Sequence, residues 1–130
     1  AVMFDDKTKD VLSYGTHGTT FGGNPICANA AYSVLSRIDD NLLEHVKKCY
    51  KFIEEELSCC DKVLSISGKG LMVGIEITND LKAIDIVNKC IDMGLILLTA
   101  KNKIRLLPPL NISFDVLKRG LNILKSVLEE

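Results

Sequence analysis

A segment rich in glycine and threonine is the first part of this sequence whose composition suggests chemistry. Residues 14–25 hold four glycines and three threonines in twelve positions. Exposed amides of a glycine-rich turn, threonine hydroxyls and a nearby helix N-terminus would together suit a phosphate group. The alternative is a tight turn that needs glycine only for its backbone dihedrals. The segment lacks the residue spacing of both the Walker A loop and the dinucleotide-binding loop, so neither of those sites is predicted.

A second candidate is Arg105, which stands among the apolar residues Ile104, Leu106 and Leu107. A guanidinium in such a strand is costly to bury unless it is paired. Its fork of donors matches a carboxylate through two parallel hydrogen bonds. The sequence leaves three partners open: a carboxylate ligand, an internal glutamate such as Glu76, or water at the edge of a sheet.

The other reactive side chains form no recognisable catalytic set. His17 lies in the glycine-threonine segment, where a local hydrogen bond is a simpler role than that of a general base, and Lys69 between two glycines is a turn lysine. The two histidines are far apart and no CxxC pair occurs, so we expect no metal site. We expect the five cysteines to be free thiols in a reducing cytoplasm. A disulfide between the neighbours Cys59 and Cys60 would be strained, so we interpret both as packing residues.

The overall composition is that of an ordinary globular protein. The 130 residues include 16 Lys plus Arg and 17 Asp plus Glu, for a formal charge of −1, and 47% are hydrophobic. A chain with so little net charge has no global field to attract nucleic acid or an anionic membrane. The longest mostly apolar run, residues 94–100, is far shorter than a membrane-spanning helix, and no secretory signal opens the sequence. We therefore expect a cytoplasmic protein.

The elements that must position these residues follow from the apolar periodicity. In the first half, the pattern predicts a short helix over residues 5–13 and then the glycine-threonine loop. It also predicts a helix that Asn24 caps and Pro25 begins, and a second helix that Asn41 caps and that ends near Leu57.

The second half alternates strands with helices. The pattern predicts strands at 63–67, 71–78, 95–99 and 104–107, a helix between the second and third that Asn79 or Asp80 caps and Gly94 ends, and a final helix after Ser113. Ile84, Val87, Cys90 and Ile91 are expected to be buried in the first of these helices, and Val116, Leu117, Leu121, Leu124 and Val127 in the second. The expected fold is α+β: a small, largely antiparallel sheet of about four strands with helices packed on one face, preceded by further helices.

Three segments together resemble one known family. Residues 17–25 (HGTTFGGNP) resemble the cofactor loop of the class III, fold-type I pyridoxal-phosphate aminotransferases. Residues 68–77 (GKGLMVGIEI) resemble the first hairpin of that family's small C-terminal domain, and residues 104–110 (IRLLPPL) resemble its carboxylate-binding strand. The segments follow one another in the family's order and spacing. Within the family, the motifs are most similar to those of acetylornithine aminotransferases, with ornithine and 4-aminobutyrate aminotransferases as near relatives.

The resemblance implies roles for three residues. Thr20 matches the threonine that reaches the phosphate of pyridoxal 5'-phosphate in the neighbouring subunit of a homodimer. Thr19 matches the adjacent hydroxyl residue that lies against the substrate, and Arg105 matches the arginine that binds the substrate's α-carboxylate. The implied partners are small amino-acid and keto-acid substrates. No catalytic residue and no metal ligand is implied in this chain.

The resemblance also implies a division of the chain and an incomplete active site. Residues 1–24 would be the end of the large domain with the cofactor-phosphate loop, residues 25–57 interdomain helices, and residues 58–130 the small C-terminal domain. The lysine that binds the cofactor covalently would lie upstream of Ala1, which is not an initiator methionine, so we expect a C-terminal fragment that neither turns over substrate nor holds the cofactor covalently on its own.

The expected activity of the parent enzyme is transamination between N-acetylornithine and 2-oxoglutarate in arginine biosynthesis. Two alternatives remain open. The chain could be part of an ornithine, succinylornithine or 4-aminobutyrate aminotransferase, or it could be a non-catalytic module for binding or dimerisation.

Overall fold

The computed structural model describes residues 3–130, which form four helices and four strands. In chain order, these are α1 (Pro25–Leu35), α2 (Asp40–Leu57), β1 (Val63–Lys69), β2 (Met72–Ile77), α3 (Ala83–Asp92), β3 (Leu98–Ala100), β4 (Lys103–Leu106) and α4 (Phe114–Leu128). The chain divides into two compact units, with the boundary between Ile38 and Asp39. The domain limits implied by the resemblance, at residues 24 and 57, stay predictions. No helix in the described range has both the length and the apolar character needed to span a membrane.

The first unit begins with turns, so the predicted helix over residues 5–13 is wrong. Asp5 holds the first turn, because its Oδ1 accepts hydrogen bonds from the backbone of Lys7 at 3.1 Å and from both the backbone and the hydroxyl of Thr8 at 3.0 and 2.6 Å. Such local side-chain bonds compete with helical ones. The residues of this segment are exposed, so no packed face supports a helix there.

Helix α1 begins where the sequence predicts. Pro25 is its first residue, and the Oδ1 atom of Asn24 accepts hydrogen bonds from the amides of Ile26 at 2.9 Å and Cys27 at 3.3 Å. The amide oxygen thus satisfies two of the donors that a helix start leaves unpaired, and the fixed φ of proline suits this position. No residue of α1 is buried in the structure.

The second unit is built on a sheet of strand order β1-β2-β4-β3, in which every neighbouring pair is antiparallel. This confirms the α+β prediction with its antiparallel sheet. The β1–β2 hairpin depends on Gly68, because a Cβ at that position would lie 2.2 Å from the carbonyl oxygen of Met72. The turn consists of Gly70 and Leu71 and not of residues 68–70 as the sequence indicates, since β1 continues to Lys69 and pairs there with Met72.

One face of the sheet is buried and the other is open. Val73, Ile75 and Ile77 of β2 alternate with exposed or half-buried residues, as the sequence predicts. They join Ile104 of β4 and the buried residues of α2, α3 and α4 in one hydrophobic core. Because residues two apart in a strand share a face, Met72, Gly74 and Glu76 lie on the open side.

The structure corrects the predicted caps of two helices. Asp39, not Asn41, caps α2, since its Oδ1 accepts a hydrogen bond from the amide of Leu42 at 2.8 Å, and Asn41 lies inside the first turn. Lys82 precedes α3 and makes no side-chain cap. Asp80 lies too far ahead of the helix and pairs instead with the Nζ atom of Lys62 at 2.6 Å. Ser113 caps α4 as predicted.

Three residues predicted to be buried are exposed: Ile84 and Ile91 in α3, and Val116 in α4. Helix α3 has apolar residues on two adjacent stripes, and the helix packs through the stripe that starts at Ala83. The predicted burial of Val87 and Cys90, and that of Leu117, Leu121, Leu124 and Val127, is confirmed.

Candidate functional site

Arg105 lies in the middle of the sheet on its open face. Strand β4 pairs with β2 on one side and β3 on the other, so Arg105 is not at a sheet edge facing water. Its direct neighbours are Gly74 of β2 and Leu98 of β3. Since glycine has no side chain and leucine has no polar group, neither neighbour can pair with the guanidinium.

Arg105 has no carboxylate partner within residues 3–130. Its Nη2 atom lies 4.0 Å from the Sδ atom of Met72, a weak acceptor. The predicted alternative, an ion pair with Glu76, is wrong, because the Oε2 atom of Glu76 is bound by the Nζ atom of Lys103 at 3.1 Å and by the hydroxyl of Ser65 at 2.8 Å. These two bonds lower the pKa of Glu76, Ser65 contributing most. The donors of Arg105 therefore remain available to an acceptor from outside this unit.

An apolar pocket of about 410 Å³ adjoins Arg105. No sequence pattern described above predicts this pocket, although the leucines of residues 95–98 and the prolines after β4 are a signal for it. Arg105 is the only charged residue of its lining, which comprises Leu95, Ile96, Leu97, Leu98, Arg105, Leu106, Leu107, Pro108, Pro109, Ile112, Val116, Leu117, Gly120 and Leu121. A charge bordered by apolar side chains interacts strongly with an anion, because little water competes for it.

His45 of α2 fixes the segment that follows β4, a role that the sequence analysis missed. Its Nε2 atom donates to the carbonyl oxygen of Ile112 at 2.8 Å, and its ring packs edge-on against Phe114. Phe52, also on α2, packs against Phe114 in the same way. These contacts hold one wall of the pocket. The signal available in the sequence was the helical spacing of His45 with the buried Cys49.

Thr19 and Thr20 lie in the glycine-threonine loop of the first unit. Two backbone turns shape the loop, with the amide of Gly22 donating to the carbonyl oxygen of Thr19 and that of Asn24 to Phe21, each at 3.2 Å. Gly22 lets the Thr19 side chain lie close to the turn, because a Cβ at residue 22 would lie 2.6 Å from the Cγ2 atom of Thr19 and would displace it. Both threonines are exposed. A loop of turns with two exposed hydroxyls fits a phosphate group.

Most of the remaining candidate residues are exposed. His17 is exposed, and so is Lys69 at the end of β1. Of the cysteines interpreted as packing residues, Cys60 is buried, but Cys59 is exposed.

Comparison with known proteins matches the family model described as "Aminotransferase class-III" over residues 1–128. The match spans the threonine loop, the hairpin and the Arg105 strand in one alignment. This chain belongs to the class III aminotransferase family. The family assignment based on the three motifs is therefore confirmed.

Curated and solved class III aminotransferases are similar over nearly the whole chain. The acetylornithine aminotransferase of Haemophilus ducreyi is 39% identical over 130 residues, which are all of this chain and 33% of that protein. The ornithine delta-aminotransferase structure of Plasmodium falciparum matches with a TM-score of 0.73 and 33% identity, over 92% of this chain and 33% of its own. The N-acetylornithine aminotransferase structure of Stenotrophomonas maltophilia matches with a TM-score of 0.75 and 25% identity, over 83% and 32%. The chain thus spans about a third of these aminotransferases.

Proposed function

We propose that this chain is the C-terminal part of a pyridoxal-phosphate-dependent aminotransferase that moves the δ-amino group of N-acetylornithine to 2-oxoglutarate. The observation that supports it most is the Arg105 guanidinium, which has no carboxylate partner among the described residues and stands in the strand that matches the family. Both substrates carry an α-carboxylate, the anion that such a fork binds with two hydrogen bonds.

Arg105 is proposed to bind and orient the substrate through that carboxylate. The central strand β4 fixes its backbone on both sides, and Glu76 is held by Lys103 and Ser65 rather than by the arginine. Because the backbone is already ordered, binding costs only the freedom of the arginine side chain, which favours positioning of the reacting end of the substrate. The apolar pocket beside the guanidinium would reduce the amount of water that competes for the ion pair.

Thr20 is proposed to donate its hydroxyl to the phosphate of pyridoxal phosphate in a neighbouring subunit, with Thr19 beside the substrate. The exposure of both side chains and the turns around them support this role. When bound, the cofactor supplies the electron sink that transamination needs, while the protein supplies binding and orientation. The active form would then be a homodimer, acting in arginine biosynthesis in the cytoplasm.

Ornithine is the second candidate amino donor. The specific observation in its favour is that the ornithine aminotransferase of Plasmodium falciparum matches the fold of this chain about as well as the solved N-acetylornithine aminotransferase does. The two donors differ in the acetyl group on the α-nitrogen, which Arg105 does not contact in the proposed binding mode.

The proposal is tested on the complete protein that contains this chain. Purified protein with pyridoxal phosphate is assayed with 2-oxoglutarate and, in parallel, N-acetylornithine, succinylornithine, ornithine and 4-aminobutyrate. We expect the highest kcat/KM with N-acetylornithine and a visible cofactor band, and no turnover by the 130-residue chain alone. A higher kcat/KM with another donor would reassign the substrate. Absence of both band and turnover in the complete protein would favour a non-catalytic module.

A further inference from the structure

The turn after α2 carries two adjacent cysteines that face one recess. Cys59 is exposed and Cys60 is 8% exposed. Both line an open recess of about 490 Å³ between this turn and the end of the chain. The backbone here is a turn and not a helix. The two side chains can therefore serve the same ligand.

The two thiols belong to consecutive residues that line the same recess. Burial raises the pKa of Cys60, and the Cys59 thiol raises it further. The pKa of Lys125 is raised mainly by its hydrogen bond to Glu56, and Cys59 and Cys60 also add to it. No other two cysteines of this chain are consecutive.

A direct bond between these sulfurs is unfavourable. A disulfide needs an S–S distance of about 2.0 Å and a dihedral near 90°, which strains the ring that consecutive residues would close. A bridging atom relaxes this demand, because two bonds of about 2.3 Å, the usual length to a thiolate-bound metal, leave the sulfurs well separated. The pair is therefore better suited to a bridging ligand than to oxidation.

Zinc is not a suitable bridging ligand for these two thiols. A structural zinc site uses four protein ligands, and within residues 3–130 no cluster of three or more His, Cys, Asp or Glu side chains could hold a metal ion. A suitable ligand therefore needs only two protein sulfurs. A trivalent arsenic atom that already bears one organic group has two bonds left, one for each sulfur.

We propose that Cys59 and Cys60 form a two-thiol binding site for soft electrophiles of the monosubstituted trivalent arsenical class. With phenylarsine oxide, two As–S bonds form and the arsenic–oxygen bond breaks. The two thiol protons leave with that oxygen as one water molecule. Arsenic stays trivalent and neither sulfur is oxidised, so no further reactant is needed.

The charges around the recess favour a neutral ligand. Four carboxylates line it, those of Asp61, Asp80, Glu129 and Glu130. Asp80 is paired with Lys62 at 2.6 Å and Glu130 with Lys89 at 2.8 Å, which leaves two of the four without a lysine partner among the described residues. Glutathione disulfide is anionic at neutral pH and would be repelled from this surface. Uncharged phenylarsine oxide meets no such repulsion. The site therefore discriminates between two reagents that both attack thiols.

The test uses the 130-residue chain, fully reduced, and measures phenylarsine oxide binding by intact-protein mass spectrometry. We expect one adduct per chain, with a mass gain of one reagent less one water, that dimercaptopropanol removes and an equal concentration of β-mercaptoethanol does not. Cys59→Ser and Cys60→Ser should each weaken binding by about 100-fold or more, because the second As–S bond is intramolecular. Cys27→Ser, which removes another exposed thiol, should bind like the parent.

Several outcomes would overturn the proposal. These are full binding by either serine variant, loss of the adduct in Cys27→Ser, and faster formation of a Cys59–Cys60 disulfide by glutathione disulfide than of the arsenical adduct. Since Cys60 is largely buried, Cys60→Ala is made alongside Cys60→Ser, and both are compared with the parent by circular dichroism. An adduct in folded Cys60→Ala as tight as in the parent would also contradict the site.

Discussion

The two units of this chain place their candidate site residues in opposite physical settings. Residues 39–130 contain every buried residue of the described chain and carry Arg105 on a strand that is hydrogen-bonded on both sides. Residues 3–38 contain no buried residue and carry Thr19 and Thr20 on a loop of turns. Burial of apolar surface is the main favourable term in folding, so only the second unit has an evident source of stability of its own.

This difference indicates how each residue would act in the proposed enzyme. A residue on a packed sheet has its backbone fixed before the substrate arrives, whereas a hydroxyl on an exposed loop gains its order when it binds. The energetic cost of that ordering falls on the binding step. We therefore expect the first unit to depend on contacts from outside this chain and the second to be stable by itself.

Hydrogen exchange on the 130-residue chain tests most directly whether the two units differ in stability. We expect amides of β2 and α4 to exchange about 1,000-fold more slowly, or slower still, than amides of residues 3–38, because core amides open only on global unfolding. Exchange measured residue by residue by NMR gives this ratio. Similar protection in α1 and α4 would show that the first unit is stabilised within this chain.

Two side-chain substitutions, one in each unit, test the same difference in stability. Leu124 is fully buried in α4 and Ile26 in α1 is 79% exposed. We expect Leu124→Ala to lower the free energy of unfolding by about 2–5 kcal/mol through lost burial and a residual cavity. Ile26→Ala should change it by less than about 0.5 kcal/mol. Urea denaturation followed by circular dichroism measures both, and equal effects would refute the division into a packed and an unpacked unit.

Substitutions of the site residues compare the two settings in the complete enzyme. We expect Arg105→Gln to lower kcat/KM by about 100-fold, since it removes a bidentate, charge-assisted contact. Thr20→Val should mainly weaken pyridoxal-phosphate affinity, by about 10-fold, through loss of one hydrogen bond to a charged group.

Lys101→Gln is the control for Arg105→Gln, because it removes an exposed cation from the turn between β3 and β4 and leaves the pair of Lys103 with Glu76 intact. Its kcat/KM should remain within about three-fold of the parent value. If Lys101→Gln costs as much as Arg105→Gln, the carboxylate site is wrongly assigned.

The smallest expected effect is a change in the stability of the fold at acidic pH. The hydrogen bond from Lys62, at 2.6 Å, lowers the pKa of Asp80 from 3.8 to about 2. A group whose folded pKa is depressed stabilises the fold above its unfolded pKa and loses that contribution as the pH falls through the folded value. The contribution of Asp80 should therefore disappear between about pH 4 and pH 2, and Asp80→Asn should flatten stability over that range.

Urea midpoints at pH 6 and pH 2.5 measure this change. Asp10→Asn is the control from the first unit, where the carboxylate forms no ion pair among the described residues. An equal change in both variants would mean that the Lys62–Asp80 pair does not stabilise the second unit. Because both side chains of that pair are largely exposed, we expect a small difference.

Local signals in the sequence predicted much of the fold correctly. The alternation of Val73, Ile75 and Ile77 predicted a half-buried strand, and Asn24 with Pro25 predicted the start of α1, because these patterns depend only on residues close in the chain. The helix over 5–13 failed because Asp5 and Thr8 form a competing local structure. The predicted cap of α2 failed because Asp39 and Asn41 could each act as a cap, and that of α3 failed because the helix begins only at Ala83.

For the candidate site, too, some features follow from the sequence alone and others only from the tertiary structure. The sequence by itself determined the residue types suited to anions, the order of the three motifs and hence the family, since each motif is a continuous run of residues. Only the tertiary structure decided the setting of Arg105. It paired Glu76 with Lys103, placed β4 between β2 and β3, and formed the apolar pocket from segments up to 26 residues apart in the chain. Strand order and the choice among competing ion pairs depend on contacts between distant residues, which no local pattern specifies.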